Sequence, residues 1–177
     1  MRTSGRLGLL TALVTVAGIG AQTAPQAAYA TYWSGGMPSA SFSIRTFSYN
    51  DTWQTPLTAA ISNWNGTPTP AAIGTLSNSP NTLSVTSYAD TWYGLFTSTG
   101  SRNSSRTFSI KLNTTTIVRD ATNWNNMVTR VFGHELGHGL SLVDNPSTSS
   151  ASIMKYESWN TLVKPTTYDI DDVNAIY

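Results

Sequence analysis

The chain has 177 residues, with ten Lys and Arg against nine Asp and Glu, and no cysteine. Without cysteine there can be no disulfide, thiol nucleophile or Cys-ligated metal. The near-neutral balance removes any electrostatic reason to expect nucleic acid or an anionic membrane as a partner.

The first thirty residues read as a secretion signal. Arg2 and Arg6 form a basic start, and Leu7 to Gly20 is an apolar run too short to span a membrane comfortably. Ala28-Tyr29-Ala30 then offers an A-x-A cleavage site before Thr31. The predicted division is a signal peptide over 1–30 and one domain over 31–177, released as a secreted, extracellular monomer.

Within that domain, Ser41 to Tyr49 alternates apolar and polar residues and predicts a first strand. Asp51 is placed to cap a helix through Asn65, with Trp53, Leu57, Ile61 and Trp64 along one stripe and Gly66 to Pro70 as its stop. Thr82 to Ala89, Thr91 to Thr97 and Arg106 to Leu112 read as strands, with Gly100-Ser101 in the turn between the last two. A second helix is expected from near Asp120, carrying Trp124, Met127, Val128, Val131 and Phe132 inward. Asn145 to Ala151 reads as a loop. After Pro165, Thr166 and Asp169 resemble a capping box that starts a last helix with Ile170, Val173, Ile176 and Tyr177 inward. Strands set among helices predict an α+β fold: one twisted mixed sheet of four or five strands, two long helices and a C-terminal helix.

The second helix holds the only two histidines of the chain, in Val131-Phe132-Gly133-His134-Glu135-Leu136-Gly137-His138. Side chains four apart on a helix share a face, so His134 and His138 can bind one zinc ion together. Glu135 can then reach a water on that metal as general base. A catalytic zinc takes three protein ligands, and with no third histidine the remaining one must be a carboxylate. Asp144, six residues beyond His138, is the preferred candidate. Glu157, about twenty residues beyond, is its rival. A structural zinc would be closed by four ligands and would leave Glu135 without a role.

The stretch resembles the metzincin motif H-E-x-x-H-x-x-G-x-x-H/D in its snapalysin-like form, with Asp144 at the third-ligand position. Ser152-Ile153-Met154-Lys155-Tyr156 is similar to the metzincin Met-turn, and the C-terminal Tyr-Asp-Ile-Asp-Asp-Val-Asn-Ala-Ile-Tyr resembles the last helix of matrixin-like secreted bacterial enzymes. The resemblance implies a zinc endopeptidase acting on protein or peptide substrates. In it Met154 lies beneath the histidines and Tyr156 assists at the metal or the oxyanion. It also implies that Thr91 to Thr97 is the sheet edge beside the cleft, with Arg106 to Leu112 inside it.

Ser141 departs from the motif's glycine, at a position often built with positive φ, so either Ser141 accepts that strain or nearby Gly139 helps the chain turn. Ser141→Gly is therefore expected to leave stability unharmed. Tyr156 reads equally as an aromatic of the cleft wall. Asp169, Asp171 and Asp172 most simply complement the dipole of the last helix; a structural calcium there is supported by no motif. The reading from another class is a secreted zinc-holding binding protein without turnover, against which Glu135 argues.

Overall fold

A computed structural model describes residues 32–156 and 160–177, so the predicted signal segment and Glu157 lie outside the described residues. In chain order the elements are β1 (Ser41–Ile44), α1 (Asp51–Asn65), β2 (Ala72–Thr75), β3 (Thr82–Thr86), β4 (Gly94–Thr99), β5 (Thr107–Asn113), α2 (Thr114–Asp120), α3 (Trp124–Gly139) and α4 (Thr167–Ile176). The class is α+β.

The five strands do not form the single sheet that the sequence predicts. β1 and β2 make a parallel pair, and β3, β5 and β4 make a second sheet with β5 in the middle, parallel to β3 and antiparallel to β4. The break between the sheets has a chemical origin at Ser79-Pro80-Asn81. Proline brings no N–H to a ladder, and side chains complete the bridge. The Asn81 amide donates to Ser43 O at 2.8 Å and accepts from Phe108 N at 3.0 Å, while Ser79 Oγ donates to Ser43 O at 2.8 Å. One backbone bond, Arg45 N to Asn81 O at 2.7 Å, completes the seam. A carboxamide carries one donor side and one acceptor side, as a peptide group does. Asn81 thus stands in for a missing piece of ladder.

The helices depart from expectation at their starts. α1 is capped by Asn50, whose Oδ1 accepts from Trp53 N at 3.3 Å, and Asp51 occupies the first turn, where it favours the helix dipole. The helix expected from near Asp120 is α3, which begins at Trp124, and the short α2 before it was not predicted. Asn113 caps α2 and Asn123 caps α3 through Asn126 N at 3.0 Å. β2 was not predicted, because only Ile73 of its four residues is buried and no alternation marks it.

α1 and α3 are joined by two indoles. Pro56 inside α1 has no N–H to offer the Thr52 carbonyl one turn back, and Trp124 Nε1 of α3 donates to that carbonyl at 2.8 Å. In return Trp64 Nε1 of α1 donates to Gly133 O of α3 at 2.8 Å. Every residue of α3 from Met127 to Gly137 is buried, the mark of a helix running through the core rather than over it. His134, Glu135 and His138 therefore ride on a helix enclosed along most of its length.

Replacing Asn81 by Leu removes both amide contacts and leaves Phe108 N buried without its acceptor. The expected loss is about 1–3 kcal/mol of stability, read from denaturant unfolding; an unchanged midpoint would show that Asn81 does not hold the seam.

Candidate metal centre

α3 supplies His134, Glu135 and His138, and the chain then leaves the helix by a tight turn. Leu140 N bonds Leu136 O at 3.0 Å, and Leu142 N reaches back to Gly137 O at 3.0 Å. Ser141 takes φ +65°, the left-handed region expected at the motif's glycine. Its side chain is fully buried, and Oγ accepts from Arg102 Nη1 at 2.7 Å and meets the Tyr177 hydroxyl at 2.8 Å. The expectation that Ser141→Gly is harmless omitted this hydroxyl. Glycine relieves the backbone and strips Arg102 and Tyr177 of a partner.

The turn carries Asp144 back over the helix. Asp144 Oδ1 lies 2.9 Å from His134 Nε2 and 3.5 Å from His138 Nε2. One ligand atom from each of the three residues falls within 4.8 Å of the others. Two ligands about 2.1 Å from a shared tetrahedral ion stand about 3.4 Å apart, a value the two Asp144 separations bracket. Glu157, the rival, lies outside the described residues.

The histidine tautomers follow from their outer contacts. His134 Nδ1 is 3.0 Å from Ile153 O and His138 Nδ1 is 2.9 Å from Leu142 O. A carbonyl only accepts, so each Nδ1 carries the proton and each neutral ring turns a lone pair on Nε2 toward Asp144. Two lone pairs and a carboxylate then converge, an arrangement that calls for a positive charge among them. Burial, then the charge of His134, pushes His138 down to about 4. Burial also opposes charge on His134, but the Asp144 hydrogen bond and the charges of Glu135 and Asp144 outweigh it and raise His134 above its usual value. The donor set, two imidazole nitrogens and one carboxylate oxygen, fits zinc.

Glu135 is 5% exposed, and its Oε2 is buried without a hydrogen-bond partner. Burial pushes its carboxyl up to about 7, with the charge of His134 and the Phe96 backbone N–H pulling down and Asp144 pushing up. β4 lies so close that a Cβ at Gly94 would stand 2.3 Å from Glu135 Oε1. A glycine inside a strand is a legible sign of such an approach, but the sequence reading did not use it. Among the described residues β4 pairs with β5 alone and so forms an edge, as expected for Thr91 to Thr97, of which only Gly94 to Thr97 lie in the strand. Gly94, Leu95 and Phe96 line a cleft of about 700 Å³ with the ligand trio and Glu135.

Met154 is 2% exposed and packs against Gly137 of α3. Tyr156 stands on the cleft rim, 57% exposed. Behind them Asp169 makes the capping-box contact with Thr166 N at 2.8 Å, and the same carboxylate accepts from Ser152 Oγ at 2.5 Å and Ile153 N at 3.0 Å. Its oxygens are thus occupied by the chain itself. The sequence reading recognised the cap and missed this second use, and it missed Trp33, whose ring lies edge-on to His138 at 5.2 Å in the cleft wall.

No family model and no curated protein matches the chain. Among solved structures it is similar to the "GM1 bound form of the ECX AB5 holotoxin", at 18% identity over 70% of this chain and 70% of that chain, with a TM-score of 0.46. A likeness of that size carries neither fold nor function to this chain. The site stands on its own geometry.

Two outcomes follow. Ser141→Ala loses the hydroxyl and keeps the strained positive φ, whereas Ser141→Gly loses the hydroxyl and relieves that strain, so the glycine variant is expected to be more stable than the alanine variant by about 1–2 kcal/mol; thermal melts giving equal values would remove strain from the account. Asp144→Ala is expected to lower zinc content and Glu157→Ala to leave it near wild type, measured by metal analysis after dialysis. Equal loss in both would reject Asp144 as third ligand.

Proposed function

We propose that this chain is a secreted zinc endopeptidase of the metzincin type, working as a monomer on extracellular protein or peptide substrates, with neither nucleic acid nor membrane as partner. One observation carries the proposal. The Nε2 lone pairs of His134 and His138 converge with Asp144 beside a buried Glu135 oxygen that has no partner of its own, all facing one cleft.

His134, His138 and Asp144 would hold zinc, and zinc supplies Lewis acidity toward water and a carbonyl oxygen. Glu135 takes a proton from the attacking water and returns it to the leaving amine. Its site suits both directions of transfer: burial favours the protonated form, and a cation at the ligand trio favours the ionised one. Tyr156 lines the cleft and would donate its hydroxyl to the developing oxyanion. The open edge of β4 offers backbone groups to an extended substrate lying along the cleft. Secretion rests on the signal-like segment over 1–30. Among the described residues no helix is long and apolar enough to cross a membrane.

Cleavage of an unfolded protein by wild type and by Glu135→Ala tests the proposal. Wild type is expected to cleave, and the variant to lose at least about 100-fold while keeping its zinc. A folded, zinc-loaded wild type that leaves such substrates intact would favour a zinc-holding binding protein instead.

A further inference from the structure

We propose that Tyr32–Met37 is a strap that positions the metal loop, so that metal retention depends on residues far from any ligand in sequence. This rests on the metal-site reading above and extends it to the chain's own support of the third ligand. The loop from Leu140 to Asp144 needs such support. It contains the one non-glycine positive φ of the described residues, and its ligand Asp144 has a side chain 48% exposed.

The strap runs along this loop and bonds to it in sequence. Met37 N donates to Gly139 O at 2.9 Å, Trp33 N donates to Ser141 O at 2.7 Å, and Tyr32 forms a β-bridge with Leu142. The next carbonyl in that series, Leu142 O, is the acceptor that orients His138 through Nδ1, and Asp144 follows two residues later. Backbone hydrogen bonds thus join strap and turn, and the turn reaches His138 through its Nδ1 contact and Asp144 through the chain. Trp33 adds its ring, edge-on to His138 at 5.2 Å and to Phe96 at 5.4 Å.

Two arginines of the β4–β5 hairpin hold the strap down. Arg102 Nη1 donates both to Gly36 O at 2.9 Å and to Ser141 Oγ at 2.7 Å, and Arg106 Nη1 donates to Gly35 O at 2.9 Å. Arg102 is the decisive clamp, because one nitrogen touches strap and loop together. The approach also requires glycine at position 36, where a Cβ would stand 2.5 Å from the backbone N and Cα of Ser141. A loop ordered in advance binds its ion without the entropy cost of being ordered by it. Outer contacts that aim metal ligands typically carry 10- to 100-fold in affinity.

The test uses the chain from Thr31 onward as wild type, Arg102→Ala, Gly36→Ala and Asp144→Ala. Zinc affinity is measured by competition with a chromophoric chelator, the visible spectrum after cobalt substitution is recorded, and the metal-free melting temperature is taken for each. Arg102→Ala and Gly36→Ala are expected to lose about 10-fold or more in zinc affinity, and their cobalt spectra to move toward that of Asp144→Ala. The metal-free Arg102→Ala protein is expected to melt near wild type, a result that a merely structural contact would not combine with weakened metal binding. Should Gly36→Ala fail to fold, Arg102→Ala decides alone. A wild type that binds zinc, with variants of equal affinity, overturns the strap; a wild type that binds no zinc overturns the metal reading itself.

Discussion

Three electron-rich atoms held within 4.8 Å of one another repel unless positive charge sits among them. The fold around His134, His138 and Asp144 can be read as the means of imposing that arrangement. A side chain alone does not stay in such company, because it turns toward solvent or takes up a proton. Here each imidazole is fixed from behind by a carbonyl, one from Ile153 and one from Leu142 in the turn after α3. The helix that carries both rings is enclosed along most of its length and cannot tilt away. The convergence at the centre is matched by restraint at the periphery.

That restraint is built from few groups, several of them used twice. Asp169 caps α4 and holds Ser152 and Ile153, so one carboxylate sets both the start of a helix and the carbonyl that orients His134. Ser141 sits at the positive-φ turn and receives Arg102 and Tyr177 at its hydroxyl. Asn81 joins two sheets with one amide. A small chain without disulfides has few other ways to fix a polar site, and double use of buried polar groups makes its parts interdependent.

Much of this was legible, and what was not has a common cause. Helical spacing of His134 and His138, the carboxylate between them and the capping pair Thr166 and Asp169 are local signals, readable because helix geometry fixes which side chains meet. The seam at Asn81 is not local, since it joins residues 38 and 27 positions apart, and no periodicity announces an amide standing in for a strand. The second helix was expected a few residues early, near Asp120, because its apolar stripe does not mark the capping role of Asn123, and the short α2 before it was missed. At Ser141 the motif narrowed the turn to that residue or Gly139, and the structure puts the positive φ on Ser141; the partners of its hydroxyl had no local signal. Trp33 carried no motif at all; its place beside His138 follows from the path of the strap.

The proline in α1 bears on how the site comes into being. Pro56 deprives the Thr52 carbonyl of its helical partner, and the replacement is an indole N–H from Trp124, seventy-two residues later. α1 by itself thus carries an unsatisfied carbonyl near its start and is a poor autonomous helix. Its first turns are completed when α3 docks, and that docking sets the histidine-bearing helix in the core. The two helices consolidate as a cooperative pair, so opening one in a native-state fluctuation loosens the other. Metal bound between His134 and His138 would then quiet motion in α1, a segment that contributes no ligand.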